Sequence, residues 1–267
     1  MEPTQVTSGS HPMLKEFVKL QNNPRYRHKT QQIALEGFNL VSEALRAGLT
    51  PRAFFYTREY YEQEGLGWLA IYPQQVRHFI LPQKLFKKIT ETETPQPVAA
   101  IFIFNRPVHK QELTNIPELA LILNRLQDPG NMGTIIRTAA AAGVDALFYT
   151  PASTDPYGPK VLRATAGAIF YLWPEQTEDP LKLIRDLKER GVQVIATSAA
   201  SAQAHYSAGY KDNCALIIGN EADGIDDELI AEADLEVSIP QLGPVESLNA
   251  AVAAAVIMYE IIRCRSS

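Results

Sequence analysis

The sequence predicts an α/β fold: a largely parallel sheet with helices on both faces, preceded by a smaller α/β domain. Three observations carry this. From residue 119 onward, unbroken apolar runs recur at "LALILNRL" (119–126), "ALFYT" (146–150), "AIFYLW" (168–173), "VQVIATSA" (192–199), "CALIIGN" (214–220) and "LEVSIP" (235–240). Strands that are apolar throughout, rather than at every second residue, belong to sheets buried on both faces. Helical runs fall at 132–142, 158–166, 180–190, 226–233 and 245–263, the alternation that returns each strand parallel to the last. The first 100 residues make a separate, shorter set of strands and helices.

In that first set, apolar positions 14, 17, 18 and 20 of "MLKEFVKLQN" (13–22) have a helical period. "NNPRYRHKTQ" reads as a polar, Pro-containing connection. "IALEGFNLVSEALRAGL" starts as a strand and becomes a helix ending near Gly48. "RAFFYT" (52–57), "QQVRHFIL" and "PVAAIFIF" (97–104) read as strands, and "PQKLFKKIT" (82–90) as a helix with proline at its start. "NRPVHKQELTNIP" (105–117), polar with two prolines, is the linker candidate. The division expected is therefore 1–106, a linker at 107–117, and 118–267.

Composition bounds the function classes. A 267-residue chain with 46% hydrophobic and 21% charged residues is that of an ordinary globular protein. No apolar run approaches the roughly 20 residues that span a bilayer, and the N-terminus lacks a secretory signal pattern. Two cysteines, Cys214 and Cys264, suggest neither a disulfide framework nor a metal site, so a reducing, cytoplasmic setting is expected. The net charge of −5 is unevenly spread, +3 over residues 1–100 and −8 over 101–267. Lys15, Lys19, Arg25, Arg27 and Lys29 face only Glu16 within 11–29, either a phosphate footprint or a solvated helix.

Three blocks carry the chemistry: "DPGNMGTIIRTAAAAG" (128–143), "IIGNEADGID" (217–226) and "IPQLGPVESLNAAVAAAVIMYE" (239–260). Each joins an apolar run to a Gly/Pro/Asn cluster and then a helix, the kind of place where an α/β sheet binds ligands. In the first, Asn131 is placed to cap a helix on which Arg137 stands among Ala and Ile. An ion pair with Asp145 or Glu221 is the favoured reading of that arginine, and a ligand phosphate the other. No Gly-Lys-Ser/Thr follows, so the glycines are not a Walker A loop. In "YGPKVLRATAGAIF" (157–170), Lys160, Arg163 and Thr165 can share an exposed helix side, or the cations can simply complement a helix C-terminus. Glu221 lies between glycines 219 and 224, and Glu246, Ser247 and Asn249 sit where a long Ala-rich helix begins, as caps or as site residues.

Together, in this order, the blocks resemble the motifs of the SpoU (TrmH-type) RNA ribose 2′-O-methyltransferases of the SPOUT superfamily. "LEGFNLVSEALRAG" (35–48) and "TETPQPVAA" (92–100) resemble that family's N-terminal substrate-binding domain. The resemblance implies a C-terminal trefoil knot, which no periodicity could reveal because connections are normally unknotted. It implies S-adenosylmethionine as cofactor, held around Thr197, Gly219, Ile239 and Leu248. Asn131, Arg137, Glu221, Ser247 and Asn249 take the catalytic positions, and Arg25, Arg27, Lys160, Arg163 and Thr165 are expected to face RNA. A homodimer is also implied; no metal and no membrane partner are expected, from the cysteines and the apolar runs above. The activity expected is methylation of a ribose 2′-hydroxyl in rRNA. The alternatives are a tRNA substrate or a non-catalytic RNA-binding assembly factor, the latter disfavoured by the intact motif residues.

Overall fold

Apolar residues at helical spacing build the first unit. Met13, Leu14, Phe17 and Leu20 line one side of α1 (Pro12–Asn22) and are buried, each such side chain contributing about 1.5–3 kcal/mol. They cover one face of a five-stranded mixed sheet, order β1-β4-β3-β5-β2, made of β1 (Thr4–Gln5), β2 (Gln32–Glu36), β3 (Thr50–Thr57), β4 (Arg77–Leu81) and β5 (Val98–Ile103). β3 alternates as a pleated strand must: Ala53 and Phe55 join the α1 core, while Phe54 turns to Phe102 and His78. α3 (Phe38–Arg46) packs on β2 and β5. The computed structural model describes residues 3–64, 76–90, 94–103, 116–245 and 247–265. The expected linker at 107–117 lies, but for its last two residues, outside them.

The polar connection expected after α1 is instead a second helix, α2 (Pro24–Thr30). Proline at its first position and the Asn23 side chain, accepting from the Tyr26 amide at 2.9 Å, start it. α4 (Arg58–Glu64) and the short α5 (Gln83–Phe86) complete the helices of this stretch.

The second unit holds a six-stranded sheet, order β11-β9-β10-β6-β7-β8, in which every pairing is parallel. Its strands are β6 (Leu119–Leu123), β7 (Ala146–Tyr149), β8 (Glu175–Gln176), β9 (Gln193–Thr197), β10 (Cys214–Ile218) and β11 (Leu235–Val237). β6, β7 and β10 are buried at every position, as a sheet covered twice requires. α8 (Pro180–Glu189) and α9 (Asp227–Glu232) pack on one face through Ile184, Leu187 and Leu229. α10 (Ala250–Arg265) packs on β10 and on α6 (Pro129–Ala141).

The run at 168–173 is not a strand: Ala168–Phe170 form a 3-10 turn, and the edge strand is Glu175–Gln176. With α7 (Pro159–Thr165) it falls in the segment Tyr157–Phe170, which packs with the first unit although it follows β7 in sequence.

Candidate active site

Parallel strands deliver their C-terminal ends to one sheet edge, and the three blocks leave from there. After β6, Asp128 is the N-cap of α6, its carboxylate accepting the Asn131 amide at 2.7 Å with Pro129 at the first helical position. Asn131 is thus not the cap expected of it but a residue of the first turn. Its carboxamide is free to bridge: Nδ2 donates to Glu221 Oε1 at 2.8 Å, and Oδ1 accepts from Asn249 Nδ2 at 2.8 Å. This one side chain reaches partners 90 and 118 positions further along the chain. Asn249 in turn caps α10, its Oδ1 accepting from the Ala251 amide at 2.9 Å, so that helix begins at Ala250 and not at 245. Ser247 is exposed beside it; Glu246 lies outside the described residues.

A second set of contacts holds the Glu221 turn. Asn220 Nδ2 donates to the Arg125 carbonyl at 2.8 Å, and its Oδ1 accepts from the Ala222 amide at 2.7 Å. Asn124 and Asp226 exchange two hydrogen bonds at 2.9 Å, and Arg125 pairs with Asp226 at 2.8 Å. Gly219 admits no side chain, since a Cβ would lie 2.3 Å from the Gly224 carbonyl carbon. The sequence reading missed Asn124, Arg125, Asn220 and Asp226. Only Asp128 had a usable signal, an acid directly before a proline that opens a helix.

Arg137 is exposed on α6 and makes no ion pair or hydrogen bond with any described residue. The expected partners are engaged elsewhere: Asp145 accepts the Glu118 and Leu119 amides, and Glu221 accepts from Asn131. The ion-pair reading of this arginine is therefore corrected: its side chain is exposed.

Thr197, Gly219 and Ile239 follow from the C-terminal ends of three neighbouring strands, β9, β10 and β11. The stretch after Ile239 exposes Leu242 at 99%, Val245 at 58% and Leu248 at 37%. Apolar side chains beside backbone polar groups at strand ends fit a nucleoside-bearing cofactor such as S-adenosylmethionine.

Two of the expected RNA contacts are corrected. Arg27 is 4% exposed, and its Nη1 donates to the Leu20 and Gln21 carbonyls; it satisfies the end of α1. Thr165 is buried, its hydroxyl donating to the Leu162 carbonyl at 2.8 Å. Arg25 and Lys160 are exposed and Arg163 half-buried. Lys15, Lys19 and Lys29 are exposed too, so four exposed cations remain within residues 11–29 without Arg27.

Comparison with known proteins accords with this geometry. Residues 118–259 match the SpoU rRNA methylase family, and residues 11–100 the MRM3-like substrate binding domain. The 23S rRNA (guanosine(2553)-2′-O)-methyltransferase RlmP of Bacillus subtilis is 32% identical over 96% of this chain and 98% of its own. The SpoU methyltransferase AviRb of Streptomyces viridochromogenes, in complex with AdoMet, superposes with a TM-score of 0.85 at 26% identity, covering 96% of this chain and 99% of its own. The AdoMet-bound rRNA methyltransferase of Sinorhizobium meliloti does so with 0.81 at 31% identity, covering 98% of each. With the family match running from residue 118, before β6, to residue 259 within α10, and the three motifs meeting through Asn131, this chain belongs to the SpoU rRNA methylase family.

Proposed function

We propose that this chain methylates a ribose 2′-hydroxyl of ribosomal RNA, using S-adenosylmethionine. The observation that carries the proposal is the Asn249–Asn131–Glu221 chain of hydrogen bonds, which gathers three separate motifs at one sheet edge. The similarity to an rRNA enzyme over nearly the whole of both chains favours rRNA over tRNA. The sulfonium of the donor supplies an already activated methyl group, so the protein's task is alignment and charge control.

In this reading Thr197, Gly219, Ile239 and Leu248 hold the donor, largely through backbone groups. Asn131, Glu221 and Asn249 fix the two turns against α6, and Ser247 offers its exposed hydroxyl to the substrate. A guanidinium stays protonated in proteins, so Arg137 serves not as a base but as the cation that holds the nucleotide's phosphate and stabilises the developing 2′-oxyanion. Exposed Lys15, Lys19, Arg25, Lys29 and Lys160 hold the RNA backbone.

The proposal includes the family's trefoil knot at the C-terminal strands, a homodimer and a cytoplasmic location. Support for the dimer is the exposed face of α10, where Val252 and Tyr259 are about half exposed at helical spacing. Both cysteines are free, and no described helix is long and apolar enough to cross a membrane.

The test is transfer from methyl-labelled S-adenosylmethionine to rRNA and tRNA in separate reactions, followed by digestion to nucleosides. Label in 2′-O-methylnucleosides from rRNA alone is expected. Label in a base, or in tRNA alone, would overturn the proposal.

A further inference from the structure

The first unit carries a second polar concavity, built on a turn that the methyl-transfer site does not use. β2 ends at Glu36, and the chain enters α3 through Gly37, whose φ of +92° favours glycine. A Cβ there would stand 2.8 Å from Oε1 of Gln96, the atom that accepts the Phe38 amide at 2.7 Å. Above this turn lies a cavity of about 280 Å³ lined by Glu36, Asn39, Leu40, Thr94, Gln96 and Arg163. It stands just below the roughly 300–1,000 Å³ typical of small-molecule sites, so it suits a single ring system.

Its chemistry is mixed. A carboxylate on the wall disfavours an anion such as a bare phosphate, and a guanidinium disfavours a metal cation. Two carboxamides, a hydroxyl and the apolar wall of Leu40 complete a lining suited to a flat, neutral group with both donors and acceptors. Glu36 and Arg163 each also interact with other groups of the protein, so a ligand would share them, as the several lone pairs of a carboxylate and the five N–H groups of a guanidinium allow. Asn39 is exposed and makes no hydrogen bond with any described residue, so its amide is available to a ligand.

Among the RNA bases, guanine alone places two adjacent donors, N1–H and N2–H, where one carboxylate can accept both. Its O6 and N7 are the acceptors that arginine recognises best. We propose that this cavity takes the base of an unpaired guanosine in the RNA substrate, Glu36 accepting from N1–H and N2–H, Arg163 donating to O6 or N7, and Asn39 completing the edge. Sequence-specific RNA readers work in this way, on splayed single-stranded bases. The inference rests on the reading of the chain as an RNA methyltransferase, and places base selection on the first unit.

The test is a titration of the 15N-labelled full chain with GMP, IMP and AMP, following the amide resonances of Gly37 and Phe38. GMP is expected to shift both. IMP, which lacks the 2-amino group, should bind at least about tenfold more weakly, the order of one hydrogen bond to a charged group, and AMP should move neither. Asn39→Ala should weaken GMP severalfold while leaving S-adenosylmethionine affinity and thermal unfolding unchanged. Glu36→Gln should abolish the preference for GMP over IMP. GMP that moves neither amide, or moves them no more than AMP does, overturns the subsite. Wild-type transfer of methyl groups to rRNA alongside that negative result leaves the proposed function standing. A GMP response without transfer to any RNA overturns the function and keeps the subsite.

Discussion

Asn131→Asp separates the bridge in the candidate active site from ordinary packing. The substitution keeps the size of the side chain and the acceptor for Asn249, but replaces the amide that donates to Glu221 at 2.8 Å with a second carboxylate. Two unit charges at that distance repel by about 1.5 kcal/mol even with full water screening, equivalent to about one pKa unit. The pair therefore retains one proton to a higher pH than an ordinary carboxylate would. Above that raised pKa the bridge is broken and repulsive. As pH falls through it, one carboxyl takes the proton, its O–H donates to the other, and the bridge returns. Thermal unfolding of Asn131→Asp and wild type at about pH 8 and about pH 4, with methyl transfer compared at about pH 8, checks this. The variant should melt several degrees below wild type at the higher pH, and most of the deficit should close at the lower one. A deficit equal at both values, or none at about pH 8, would refute the role given to Asn131.

Other consequences follow from particular contacts. Arg27→Met should cost about 2–5 kcal/mol in urea unfolding, because two buried carbonyls lose their donor. Arg25→Ala should leave stability within about 0.5 kcal/mol but lower RNA affinity and reduce its salt slope by about one. Gly219→Ala should abolish donor binding in calorimetry and lower the melting temperature, since its methyl would overlap the Gly224 backbone. Burial holds the His78 imidazole below the ordinary histidine value, so its stabilising contribution is present above about pH 6.5 and lost as pH falls through the lowered value. His78→Gln should accordingly flatten the decline in unfolding free energy below that pH, as read by denaturant titration.

The parallel sheet was legible because β6, β7 and β10 are apolar at every position, a pattern few other arrangements tolerate. Ala168–Phe170 had the same composition yet forms a 3-10 turn; a short apolar run carries no sign of whether a neighbouring strand accepts it. α2 was missed because arginine, histidine and lysine outweigh its one buried residue, Arg27, and a buried cation is contrary to expectation. At the candidate site, the motif residues were visible as residue types but their partners were not. Nothing local says that Asn131 would reach Glu221 and Asn249, since long-range pairing is decided by how the strands are ordered. The same limit hid the Asn124–Asp226 exchange, and it made an ion pair for Arg137 look more natural than an exposed side chain.

In the proposed function Arg137 acts on the RNA rather than holding the fold. The most direct test measures methyl transfer to rRNA by Arg137→Ala together with its S-adenosylmethionine affinity and melting temperature. Transfer reduced by at least about a hundredfold, the scale of losing one charge-stabilising group, with affinity and melting unchanged, is the predicted result. Near wild-type transfer would contradict the claim, as would a loss of transfer that merely accompanies unfolding.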